Sequence, residues 1–152
     1  MYPEKIIIQI EFEIKQLDKL LQAYGDLLDE CKRVTPDLYK ITAVSSVLHS
    51  FYNGVEKLFI FIAKNIDKNE PEGSRWHSDL LIQMCKSNDS RENVITSTIK
   101  NELMDYMAFR HFFRHTYSFF LRWSEMEPLV DNLLIVWKDL KGQIEEFISN
   151  SE

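Results

Sequence analysis

The sequence predicts an all-α fold, an up-and-down bundle of four long helices and one short one. Three observations carry that expectation. Apolar residues recur at alternating three- and four-residue steps over most of the 152 residues, which is the period of one helix face. Only 4 Gly and 4 Pro are present, too few for the tight turns a sandwich or barrel needs. The loops between the periodic segments are short and polar, as in antiparallel bundles. A chain of this length with 45% hydrophobic residues can bury one core, so residues 1–152 are expected to form a single domain.

The first helix is expected to carry Ile7, Ile10, Ile14, Leu17, Leu21, Tyr24 and Leu28 on one stripe, with Gly25 inside it. Thr35-Pro36-Asp37 then reads as a helix start: Thr as cap, Pro in the first turn, Asp near the positive end. The second helix repeats the stripe with Ile41, Val44, Leu48, Phe51, Val55, Leu58 and Ile62, and Gly54 inside it is suited to close helix packing. The run from Asp67 to Gly73 is a loop by composition. Ser74 is placed to cap a short third helix through Trp76, Leu80, Leu81 and Met84, with His77 as a structural residue at its start. After the loop Ser87 to Ser90, a fourth helix is expected from about Thr96–Thr98 to about Trp123. Ser124 and Pro128 break it, Ser124 and Glu127 have the spacing of a capping box, and Val130, Leu133, Trp137, Leu140, Ile144 and Phe147 line a fifth.

The whole chain is acidic, with a net charge of −6. Such a surface disfavours non-specific coating of nucleic acid and leaves room for a local basic site. The N-terminal apolar patch Ile6–Ile8 is followed at once by Gln and charges, so neither a signal peptide nor a membrane span is expected. Cys31 and Cys85 lie far apart without metal-ligand spacing, which suits free thiols in a reducing cytoplasm. The pairs Asp29-Glu30 and Glu145-Glu146 read as solvated faces.

Against that background, Tyr106 to Ser124 contains no Asp or Glu but three Arg and two His. Such a segment suits an anion, phosphate first. On a continuous helix with Arg110 at zero, Tyr117 falls at about −20°, Arg114 at about 40°, His111 at about 100° and His115 at about 140°. The aromatics Phe109, Phe112, Phe113, Phe119, Phe120 and Trp123 fall at about 180° to 300° and are expected to face the core. On the second helix, Thr42, Ser45, Ser46, His49, Asn53 and Glu56 form a polar stripe. It is either a solvated face or a partner to the basic arc, with Glu56 bonding Arg110 or His115.

A histidine near neutral pKa can move the proton of an RNA 2′-hydroxyl, and an arginine can hold the phosphate's developing charge. Because Arg110 and His115 diverge around the helix, they meet one substrate only in a cleft, and a second copy across a two-fold axis would form one. His111 and His115 also have the spacing of a helical zinc pair, but no Glu lies between them and further ligands are distant, so no metal is assigned.

The run Arg110-His111-Phe112-Phe113-Arg114-His115-Thr116-Tyr117 resembles the Arg-x4-His-x-Tyr motif of the HEPN superfamily, in the form carried by HepT-like ribonuclease toxins of HepT–MntA toxin–antitoxin systems. Arg75-Trp76-His77-Ser78-Asp79-Leu80-Leu81 is similar, less specifically, to a HepT-like subgroup. The resemblance implies a metal-independent endoribonuclease acting on RNA as a homodimer; neither a cofactor nor a membrane role is expected. It implies that Arg110 and His115 are catalytic, and that Tyr117 accepts AMP from an MntA-like nucleotidyltransferase antitoxin. His111, Arg114 and Glu56 would support the site, Arg114 either as a phosphate contact or as a solvated residue. The alternative is a non-catalytic HEPN-type module that binds a nucleotide or a partner.

Overall fold

A computed structural model describes residues 2–150. Among them are six α-helices and no strand. These are α1 (Glu4–Ala23), α2 (Gly25–Arg33), α3 (Leu38–Ile62), α4 (Trp76–Cys85), α5 (Ser97–His115) and α6 (Trp123–Asn150). The chain is an all-α bundle, as its periodicity predicts. Helix α3 is its centre and packs against each of the other five. That position explains its broad apolar face, with Val44, Val47, Leu48, Phe51, Tyr52, Val55, Leu58, Phe59 and Ile62 all buried.

The expected first helix is broken. Tyr24 leaves helical geometry at φ −108°, ψ 16°, and Gly25 opens α2. Glycine makes such a bend cheap. The bend turns Tyr24 outward and seats Leu28 and Cys31 in the core, with α2 lying against α6. Along α1 the stripe is as expected at Ile10, Ile14, Leu17 and Leu21, with Ile6 buried rather than Ile7.

Helix α3 starts later than Thr35. Asp37 is its cap, and its carboxylate accepts the Lys40 amide at 2.9 Å. Ser74 does not cap α4, whose preceding residue Arg75 makes no side-chain cap bond. Thr96 does cap α5, accepting from the Ile99 amide at 3.3 Å.

The largest departure is at the end of α5. The helix stops at His115, Thr116 turns extended, and Ser118–Phe120 forms one 3-10 turn. Buried Leu121 then anchors the reversal into α6. The last turn carries Arg114, whose charge suits the negative end of the helix. Pro128 does not break α6 but lies inside it, near its exposed start, where the carbonyl it leaves unbonded can reach water. Trp123 at the start of α6 donates to Glu127 at 2.9 Å, in place of the expected capping box.

Polar ties fix the helices against one another. The Asp18 carboxylate on α1 accepts from Trp137 and Lys141 of α6, each at 2.8 Å. The Tyr106 hydroxyl donates to the Leu129 carbonyl at 2.6 Å, joining α5 to α6.

Candidate functional site

Helix α5 buries Ile99, Leu103, Tyr106 and Arg110. These stand four, three and four residues apart, which is the spacing of one helix face. An arginine therefore occupies the next place in an apolar stripe, and its side chain is carried into the bundle with 9% of its surface exposed. The core face of this helix is turned from the expected aromatic side toward Arg110, while His111, Arg114 and His115 stay exposed as expected. Phe112, Phe119 and Phe120, expected in the core, are exposed, whereas Phe109, Phe113 and Trp123 are partly buried.

A buried guanidinium requires a counter-charge. Glu56 on α3 supplies it. Arg110 Nη1 lies 3.2 Å from Oε1 and donates to Oε2 at 3.4 Å. Glu56 has a second partner, since His77 Nδ1 lies 2.7 Å from Oε2. The His77 ring also lies against Trp76, with centroids 3.7 Å apart. Three helices thus meet at one carboxylate. The α3 polar stripe divides accordingly: Ser45 and Glu56 are buried, while Thr42, Ser46 and Asn53 are exposed. Of the two partners expected for Glu56, the structure selects Arg110 and not His115.

The cluster retains unused hydrogen-bonding capacity. Arg110 Nε, the Tyr52 hydroxyl and His49 Nδ1 are buried without a hydrogen-bond partner. The Arg110 guanidinium carbon lies 6.0 Å from the Tyr52 ring centre. Burial pushes the Tyr52 phenol well above its ordinary range, and Glu56 adds to the rise while Arg110 opposes it. Burial lowers the His49 pKa, helped by the positive charges of Arg110 and Arg114. His49 exchanges a 3.0 Å hydrogen bond with Asn53 and lies against Phe113, ring centres 5.4 Å apart. Both effects favour the neutral forms of the imidazole and the phenol beside one permanently charged, incompletely bonded arginine.

Past this buried point the motif emerges at the surface. His111 and His115 are exposed one helical turn apart, with ring centres 4.6 Å apart. Arg114 is exposed. Tyr117 lies beyond the end of α5, so its wheel position does not apply. Its ring is 72% exposed and stacks on Phe119 at 5.6 Å, and Phe119 meets Phe120 at 4.5 Å. Among the described residues no three His, Cys, Asp or Glu side chains are grouped as metal ligands, and no helix is long and apolar enough to cross a membrane. Cys31 is buried, Cys85 partly so, and both are free.

Two groups escaped the sequence reading. His77 joins the site through Glu56, although nothing in its spacing ties it to residues 21 and 33 positions away. The other is Arg91, fully covered and chelated by Asp67 through Nε at 2.6 Å and Nη2 at 2.7 Å. Its remaining donors take the carbonyls of Gln83, Lys86 and Glu92. This second buried arginine pins the loop before α5. An isolated Arg in a polar loop gives no sequence signal of such a clamp.

The family model described as HepT-like protein matches residues 43–151, which include Glu56, His77, Arg110, His115 and Tyr117. No curated protein and no solved structure matches the chain significantly. With most of its length matched, and with an all-helical fold that presents the Arg-x4-His-x-Tyr run at the end of α5, the chain belongs to the HepT-like family of the HEPN superfamily.

Proposed function

We propose that this protein is a metal-independent endoribonuclease toxin that cuts RNA through Arg110 and His115. The observation that carries the reading is Arg110 itself: a buried guanidinium with Nε unbonded, at the point where α5 delivers His115 and Tyr117 to the surface. In the proposed reaction His115 takes the proton of a ribose 2′-hydroxyl. The 2′-oxygen attacks the adjacent phosphorus, the bond to the 5′-oxygen breaks, and a proton is delivered to that leaving oxygen. Arg110 stabilises the charge on the non-bridging oxygens. One histidine serves one proton transfer, so a homodimer that brings two Arg–His pairs into one cleft supplies both base and acid. Exposed Phe112, and the contacting exposed rings of Phe119 and Phe120 just past the motif, support an interface there, because exposed aromatic side chains in one region are usually covered.

Tyr117 is the proposed off-switch. Its exposed phenol oxygen attacks the α-phosphorus of ATP in a partner nucleotidyltransferase of the MntA type, pyrophosphate leaves, and AMP remains on the tyrosine. The bulky anion then sits two residues from His115 and blocks an RNA phosphate.

One observation favours the second reading, a non-catalytic nucleotide- or partner-binding module. Arg110 is almost fully enclosed and already paired with Glu56. The two readings separate in a single assay. Purified, unmodified protein incubated with RNA in EDTA is expected to leave fragments ending in 2′,3′-cyclic phosphate. Intact RNA under those conditions, with RNA or nucleotide still bound, establishes the binding module instead.

A further inference from the structure

The two buried arginines of this protein form an internal comparison. Arg91 spends all five of its N–H donors: Nε and Nη2 grip the two oxygens of Asp67, and three more bonds go to backbone carbonyls. That is a saturated structural clamp. Arg110 is held differently. Both of its contacts to Glu56 come from Nη1, at 3.2 and 3.4 Å, and its Nε is buried and unbonded. Glu56 therefore holds Arg110 through one nitrogen, and Nε keeps an unused donor.

Such a hold is only as well oriented as the carboxylate that makes it. Glu56 is itself buried, and its shortest bond is not to Arg110 but to His77, at 2.7 Å. His77 is in turn fixed by its ring against Trp76, which packs on the core. The bond runs across two helices, α4 to α3, and the pair to Arg110 runs on to α5. We infer that His77 is a positioning residue: by fixing the Glu56 carboxylate it sets the direction in which Arg110 presents its free donors. Its effect on turnover rests on the ribonuclease reading above; its effect on Arg110 does not.

The test uses three variants of the full chain. His77→Asn keeps a donor near the position of Nδ1. His77→Phe keeps a ring against Trp76 and removes the donor. His77→Ala removes both. Residues that orient a metal's ligands typically change activity by about 10- to 100-fold, and a loss of the same order is expected from this carboxylate-orienting residue. His77→Phe is expected to lower kcat on an RNA oligonucleotide by that range with KM nearly unchanged, and His77→Asn to recover most of the loss. The double variant Glu56→Gln/His77→Phe is expected to be no slower than Glu56→Gln alone. Full kcat in His77→Phe, under conditions where Arg110→Ala is inactive, overturns the inference. So does a loss in His77→Asn equal to that in His77→Phe with both proteins folded. A second readout does not need cleavage: the Arg110 Nε–H resonance, assigned by Arg110→Lys, is expected to move in His77→Phe and stay near its place in His77→Asn. An unmoved resonance in His77→Phe overturns the inference even if the protein proves not to cut RNA. Absent cleavage with a moved resonance defeats only the ribonuclease reading.

Discussion

Removing the Glu56 carboxylate leaves the Arg110 guanidinium charged and enclosed beside Tyr52. Glu56→Ala is therefore expected to destabilise the fold by about 3–5 kcal/mol, read from the urea midpoint. Replacing both partners with leucine is expected to cost much less, because no buried charge is left. His49 gives a pH signature. Burial, with Arg110 and Arg114, depresses its pKa in the folded state. The unfolded chain then takes up a proton at higher pH than the folded one. The contribution of neutral His49 is complete above its unfolded pKa of about 6.5 and is lost as pH falls through the lower folded value. His49→Phe is expected to flatten this part of the stability–pH profile. At this scale the sequence shows which residues bear charge, and the Glu56–Arg110 pair could be inferred from two facing polar positions. His77 could not, since its partner is set by how α4 docks on α3.

At the scale of elements, the apolar period located the helical segments but missed the break between α1 and α2 and the early end of α5. α1 and α2 share one stripe, so nothing in the period reveals the bend at Tyr24; only Gly25 hints at it. Aromatic residues continue past His115 and carry the expected fourth helix on to Trp123. Without Gly or Pro at the stop, the sequence carries no strong signal for it. A single helix over 106–124 would turn its aromatic side to the core, and the stop at His115 takes Phe119, Phe120 and Trp123 off that face. The stripe Ile99, Leu103, Tyr106 already pointed toward Arg110, but an arginine is not read as a core residue by hydropathy. The expected role of Gly54 is visible directly. A Cβ there would come within 2.5 Å of Leu17 Cδ2 and 3.1 Å of Cγ. Alanine gains about 1 kcal/mol in helix propensity, but overpacking costs about 1–3 kcal/mol. Gly54→Ala is expected to be destabilising in chemical denaturation, and a smaller residue at Leu17 is expected to recover part of the loss.

For the molecule as a whole, the all-α bundle was readable because helix period, short polar loops and scarce turn residues agree. The three-way junction of α3, α4 and α5 was not, because it depends on packing between segments distant in sequence. The same geometry makes the assembly testable. Phe112 on α5 and Phe119 and Phe120 on the α5–α6 connection are all exposed near the histidines in sequence. If that region is the two-fold interface, Phe112→Glu and Phe119→Glu together are expected to convert a dimer into a folded monomer in light scattering and to remove RNA cleavage with it. A dimer unaffected by both changes places the interface elsewhere. The most direct measurement is single-turnover cleavage of an RNA oligonucleotide by His115→Ala, in EDTA and beside the unaltered protein. His115 is exposed at the helix end, so the variant is expected to keep its fold and melting temperature while cleavage is lost. Cleavage at the unaltered rate by folded His115→Ala would contradict the assignment of the end of α5 as the catalytic site.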